Sequence, residues 1–112
     1  MKRGEIWTLR DNNYATKARP VVIVQTDLEY VFESVILCLF TTFESENIPT
    51  RVKVEPTAKN GLMKTSYVMT EKIVTVEKTL LDKQIGCLEN DEMRKIAGKL
   101  AKILEIHKSD IE

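Results

Sequence analysis

One histidine and two widely separated cysteines are all the imidazole and thiolate metal ligands that this 112-residue chain contains. His107 has no neighbouring ligand, and Cys38 and Cys87 form no close-spaced motif, so the common zinc sites and a paired redox motif are excluded. Each cysteine reads instead as a small buried hydrophobe. Net charge is also absent: 17 basic residues balance 17 acidic ones, which rules out the global field of a general nucleic-acid binder. Any nucleic-acid site must therefore be local. No apolar run approaches the ~20 residues of a membrane span, the longest being Val35 to Phe40. The N-terminal Met1-Lys2-Arg3-Gly4-Glu5 has no apolar signal core, so a cytoplasmic location is expected.

What is present suits one domain over residues 1–112, with enough apolar material to bury a core without disulfides or metal. Gly4 to Leu9 alternates like a half-buried strand, and Arg10 to Ala18, with Asp11-Asn12-Asn13, reads as a loop. Pro20 then opens Val21-Val22-Ile23-Val24-Gln25, where four β-branched residues in succession predict a central strand buried on both faces. Ser34 to Thr42 is a second apolar strand. Thr50 to Glu55 alternates with Val52 and Val54 inward and Arg51 and Lys53 outward. Asn60-Gly61 signals a turn, and Ser66–Thr70 and Ile73–Val76 read as strands separated by a bend or bulge at Glu71-Lys72. A helical turn at Leu80-Leu81 and a strand at Gln84–Leu88 follow. The chain closes with a helix capped by Asn90, with Asp91 and Glu92 in its first turn. Its apolar face comprises Met93, Ile96, Ala97, Leu100, Ile103 and Leu104, and Lys95, Lys99 and Lys102 lie away from it. The pattern is mainly β with a C-terminal helix, a twisted antiparallel sheet that the helix covers.

The residues best suited to chemistry lie at strand ends. Arg19 stands where a loop becomes a strand, and its five-donor guanidinium beside the hydroxyls of Thr41 and Thr42 is a plausible phosphate site. Between Pro20 and Thr50 there is no Lys or Arg, only Asp27, Glu29, Glu33, Glu44 and Glu46, whereas Arg51, Lys53, Lys59 and Lys64 follow with one acid, Glu55, among them. A groove lined by Lys17, Arg19 and the 51–64 segment would hold a polyanion. The acids near Thr41 argue the other way, for a basic partner.

Three segments together, Arg3-Gly4-Glu5-Ile6-Trp7, the Arg19-Pro20-Val21 strand start and Thr41-Thr42 at a strand end, resemble the MazF/PemK family of toxin endoribonucleases. The resemblance extends over Ser66 to Val76, Ile85-Gly86 and the helix, and it implies the small SH3-like barrel of the MazF/PemK/CcdB type, usually dimeric. It further implies a ribosome- and metal-independent endoribonuclease that cuts single-stranded RNA at a short sequence, leaving a 2′,3′-cyclic phosphate and a 5′-hydroxyl. The partner would be a cognate antitoxin protein, and no cofactor is expected. Arg19 and Thr41 match the family's active-site pair. Glu71, in Met69-Thr70-Glu71-Lys72-Ile73, matches an acid that acts as a base in some members, with Met69 where those members carry an arginine. The family's first loop usually offers Glu or His; here Asn12 to Ala18 has neither, which leaves Tyr14 and Lys17 as its proton-transfer groups. Tyr14, Lys17, Thr42, Arg51 and Lys53 are the candidates for contacting RNA. Two alternatives stay open: a CcdB-like gyrase poison, against which stands the lack of a Trp-Gly-Ile tail, and a non-catalytic SH3-like module that binds RNA or antitoxin without cutting.

Overall fold

The computed structural model describes residues 1–10, 19–27 and 32–111. Six strands follow one another along the chain: β1 (Glu5–Leu9), β2 (Arg19–Ile23), β3 (Ser34–Thr41), β4 (Arg51–Val54), β5 (Ser66–Glu77) and β6 (Leu81–Cys87). They form one sheet in the order β4-β5-β3-β2-β1-β6, and every pairing is antiparallel. A 3-10 turn at Lys78–Leu80 joins β5 to β6, and helix α1 (Asn90–Ile103) packs on β4 and β5.

The β-branched run behaves as expected of a strand buried on both faces. Val22 joins Ile6, Cys38, Phe40, Val52 and Val68 in a cluster closed by Met93 and Ile96 of α1. Val21 and Ile23 point the other way, into a second cluster with Leu9, Val35, Leu37, Val76 and Leu81. Because side chains alternate along a strand, a strand with apolar residues on both sides must lie inside the sheet, and β2 does so between β1 and β3.

Helix α1 differs from the expected pattern at both ends. The helix N-cap is Glu89 rather than Asn90: Glu89 and Glu92 form a reciprocal capping box, whereas the residue three beyond Asn90 is Met93, which is needed in the core. Only the first part of α1 covers the sheet, so Leu100 is half-buried while Ile103 and Leu104 are exposed. Cys38 is fully buried, and burial, followed by the nearby Glu71 charge, raises its thiol to about 12. Cys87 is half-buried, and both cysteines are free. Among the described residues no helix is long and apolar enough to cross a membrane.

The Asn60-Gly61 turn, which follows edge strand β4, packs against β6, the strand at the other edge of the sheet. The Cys87 N–H donates to the Lys59 carbonyl, and a Cβ on Gly86 would lie 2.3 Å from that same oxygen, so only glycine admits the contact. Asn60 is buried and organises the turn. Its Oδ1 accepts from the N–H groups of Thr57 and Leu62, and its Nδ2 donates to the Glu55 carbonyl. Asn60→Ala removes all three partners at once and is expected to cost about 2–4 kcal/mol. Equilibrium denaturation checks this; a loss below about 1 kcal/mol would show that the turn does not hold the sheet edges together.

Candidate active site

The β2–β3 register sets Val21 opposite Leu39. Continuing it by two residues brings Arg19, the first residue of β2, beside Thr41, the last of β3, on the face shared with Val21 and Leu39. A pocket of about 190 Å³ opens there, lined by Arg19, Pro20, Phe40, Thr41, Thr42 and Ser66. Pro20 costs no ladder hydrogen bond at this end of the strand. Arg19 is exposed, and among the described residues its side chain makes no hydrogen bond or ion pair. A guanidinium without a side-chain partner among the described residues, at the mouth of a pocket with three hydroxyl side chains, is chemically suited to an oxyanion, above all a phosphate.

Alternation along a strand would let only one of Thr41 and Thr42 face the site, yet both line it. Strand β3 ends at Thr41, so Thr42 is released from the alternation. The Thr41 Oγ1 accepts from the Phe43 N–H at 3.1 Å, an ST-type turn that opens the loop between β3 and β4. Ser66, which the sequence did not single out, reaches the pocket because β5 pairs with β3 there, with Tyr67 opposite Thr41 and Lys53 opposite Tyr67. That adjacency depends on strand register, which no local sequence signal reveals.

Arg51, Lys53 and Glu71 do not line this pocket. Tyr14 and Lys17 fall outside the described residues. Arg51 does not face outward as alternation suggested: its side chain is only 14% exposed, its Nε and Nη2 donate to Glu71 at 2.8 and 2.5 Å, and its Nη1 donates to Ser45. With all three nitrogens engaged it is not placed to grip RNA. Glu71, expected as a catalytic carboxylate, is absent from the pocket wall and accepts also from the Thr50 hydroxyl at 2.7 Å. Burial pushes the Glu71 carboxyl up, but the hydrogen bonds from Arg51 and Thr50 and the Arg51 charge outweigh it and bring it down to about 2. A carboxylate held so firmly in its charged form is a weak base near neutral pH.

Lys53 does face solvent, where its Nζ meets Glu46 at 2.8 Å and Glu55 at 3.8 Å. The hydrogen bond and charge of Glu46 raise the Lys53 ammonium. The Tyr67 hydroxyl lies 3.4 Å from both Glu44 and Glu46. Lys59 pairs with Glu89, and Lys99, expected on a solvated face, reaches back to the Pro49 carbonyl at 2.6 Å. The basic 51–64 segment is therefore largely neutralised by its own neighbours. Among the described residues no group of three or more His, Cys, Asp or Glu is placed to hold a metal ion.

A model of the PemK-like, MazF-like toxins of type II toxin-antitoxin systems matches residues 2–104. A probable endoribonuclease MazF from Mycolicibacterium smegmatis is 35% identical over 94 residues, which covers 83% of this chain and 86% of that one. The endoribonuclease MazF of Staphylococcus saprophyticus is 29% identical over 91 residues, covering 80% and 75%. Among solved structures, an endoribonuclease in complex with its cognate antitoxin, from a mycobacterial species, superposes with a TM-score of 0.81 at 29% identity, covering 96% of this chain and 97% of that one.

The folded-state carboxyl of Glu71 lies below its unfolded value, so the Arg51–Glu71 pair stabilises the fold above the ordinary carboxylate range. That contribution is lost as pH falls from about 4.5 towards about 2. Because the pair is partly solvated, it is expected to contribute on the order of 1–2 kcal/mol. Denaturation free energies measured from pH 6 to pH 3 should fall more steeply for the wild type than for Glu71→Gln, and parallel curves would contradict this.

Proposed function

This chain belongs to the PemK-like, MazF-like toxin family of type II toxin-antitoxin systems, and from that membership we propose that it is a sequence-specific endoribonuclease that needs no metal ion. The observation that carries the reading is the Arg19–Thr41 pocket: a guanidinium without a side-chain partner among the described residues and a hydroxyl line it together, where two central strands end. The substrate is single-stranded RNA, whose splayed bases can be read on their edges while the pocket holds one phosphate.

In the proposed reaction the ribose 2′-oxygen attacks the adjacent phosphorus and the bond to the 5′-oxygen breaks. The 2′-hydroxyl proton leaves to a base, the departing oxygen gains a proton, and the products are a 2′,3′-cyclic phosphate and a 5′-hydroxyl. Charge grows on the non-bridging oxygens in the transition state. Arg19 meets that charge through its paired N–H groups and Thr41 through its hydroxyl, donors held in place before reaction. Thr42 and Ser66 line the approach, and Lys53 lies along the same row of cross-strand neighbours. The proton-transfer groups are assigned to the first loop, where Tyr14 and Lys17 are the available side chains.

The protein acts as a toxin held by a cognate antitoxin, and as a homodimer. The mycobacterial structure with its antitoxin supports the first point. The neutral overall charge is compatible with both, because the interaction with RNA is concentrated at one pocket rather than spread over the surface.

Arg19→Ala should lower the cleavage rate about 10²–10³-fold while leaving the fold intact, because the side chain is exposed and without a partner among the described residues. The assay uses a long, weakly structured RNA with excess chelator and maps the new 5′ ends. Discrete cuts bearing 5′-hydroxyls, lost in the variant, are expected; equal cutting by Arg19→Ala would overturn the site, and a requirement for added metal would overturn metal independence.

A further inference from the structure

Strand β5 carries three residues more than its partner requires. Cys38 and Leu39 are consecutive on β3, but they pair with Ile73 and Met69, so Thr70, Glu71 and Lys72 form an interruption in the ladder. Bulges of this kind redirect a side chain. Here Thr70 is fully buried and fastens the interruption to the chain just before β4: both its N–H, at 3.3 Å, and its hydroxyl, at 2.5 Å, donate to the Thr50 carbonyl. Glu71 is thereby delivered to Thr50 and Arg51.

From Glu71 a series of hydrogen bonds reaches the candidate site, its last step passing through the backbone of Phe43 from carbonyl to N–H. Arg51 binds the Glu71 carboxylate on one side and donates from Nη1 to the Ser45 hydroxyl at 2.9 Å on the other. Ser45, buried in an otherwise polar loop, donates to the Phe43 carbonyl at 2.7 Å. The Phe43 N–H donates to Thr41 Oγ1 at 3.1 Å. Arginine can only donate, so the Ser45 proton is free for the Phe43 carbonyl. At the far end Thr41 accepts, and among the described residues its own proton has no acceptor.

We infer that Arg51 and Glu71 are positioning residues that act through Ser45 and Phe43 to hold the Thr41 hydroxyl as a hydrogen-bond donor to a phosphate in the Arg19 pocket. This rests on the ribonuclease reading and deepens it by removing Glu71 from the proton-transfer steps. A hydroxyl that accepts a backbone N–H is held in place and keeps its own proton for donation. The pair fixes the β3–β4 loop rather than touching RNA.

Two measurements test this on the full chain. In the first, amide exchange is followed by NMR in the wild type, Ser45→Ala and Glu71→Gln. Ser45→Ala should speed exchange of the Phe43 amide at least tenfold while leaving the core strands unchanged; an unchanged Phe43 rate overturns the series, whether or not the protein cuts RNA. In the second, kcat and KM are measured on an RNA oligonucleotide carrying a mapped cut site. Ser45→Ala should lower kcat about tenfold with KM within about twofold. Glu71→Gln, whose amide oxygen still accepts from Arg51, should lose less than about tenfold and keep the shape of its pH–rate profile. A loss above about 10³-fold with a vanished acidic limb, the expectation for a general base, would overturn the positioning role. If the wild type cuts no RNA, the ribonuclease reading fails, and the Phe43 exchange rates alone decide whether the series holds Thr41.

Discussion

Burial of β2 on both faces is the constraint from which the rest of the architecture follows. Val22 is needed by the core under α1, and Val21 and Ile23 by the core on the opposite side. A strand with no polar face needs a covering layer on each side, or it would present apolar surface to water. Here both layers are present, β2 lies between β1 and β3, and the place where it begins is set by that packing. Arg19 is the first residue of that strand, and the end of β3 comes to lie beside it. The pocket is thus a by-product of central burial, built on rigid strands rather than on a loop.

Electrostatics then sort the cations. The chain is neutral overall, and most of the basic side chains that could have formed a polyanion groove are matched individually: Arg51 by Glu71, Lys53 by Glu46, Lys59 by Glu89. The exposed pairs contribute little to stability, but they lower the local potential that a phosphate backbone would meet. Binding that is concentrated at one guanidinium selects for a phosphate in a particular geometry. Spread positive charge would bind any polyanion.

The strands were legible because their signals are local. Proline at a strand entrance, β-branched runs and period-two alternation marked β2, β3 and β4 to within a residue or two, and they also placed Arg19 and Thr41 at strand ends. What stayed hidden depended on partners distant in sequence. Alternation put Arg51 on the outer face, which assumes a regular neighbour; the three-residue interruption in β5 breaks that assumption by bringing Glu71 to meet it. Ser45 sits in a polar loop with no periodicity, and nothing nearby reports that it is buried. Asn90 is the better intrinsic cap, yet Glu89 takes the role because the reciprocal partner, Glu92, lies three residues beyond it. Ser66 and Tyr67 could be connected to Thr41 only through the β3–β5 register.

Arg19 and Arg51 show why residue type alone does not identify a phosphate ligand. Both stand at the first position of a strand, and both carry the same planar set of donors. Arg51 has each nitrogen occupied and its charge answered by a carboxylate 2.5 Å away. Transferring it to a phosphate would require breaking bonds to a partly buried acid, which would then be left without its countercharge. Arg19 has no such bonds to break among the described residues, and the hydroxyls it faces cannot neutralise it. The two arginines therefore differ in what they can offer: one holds the scaffold in shape, and the other has no side-chain partner among the described residues.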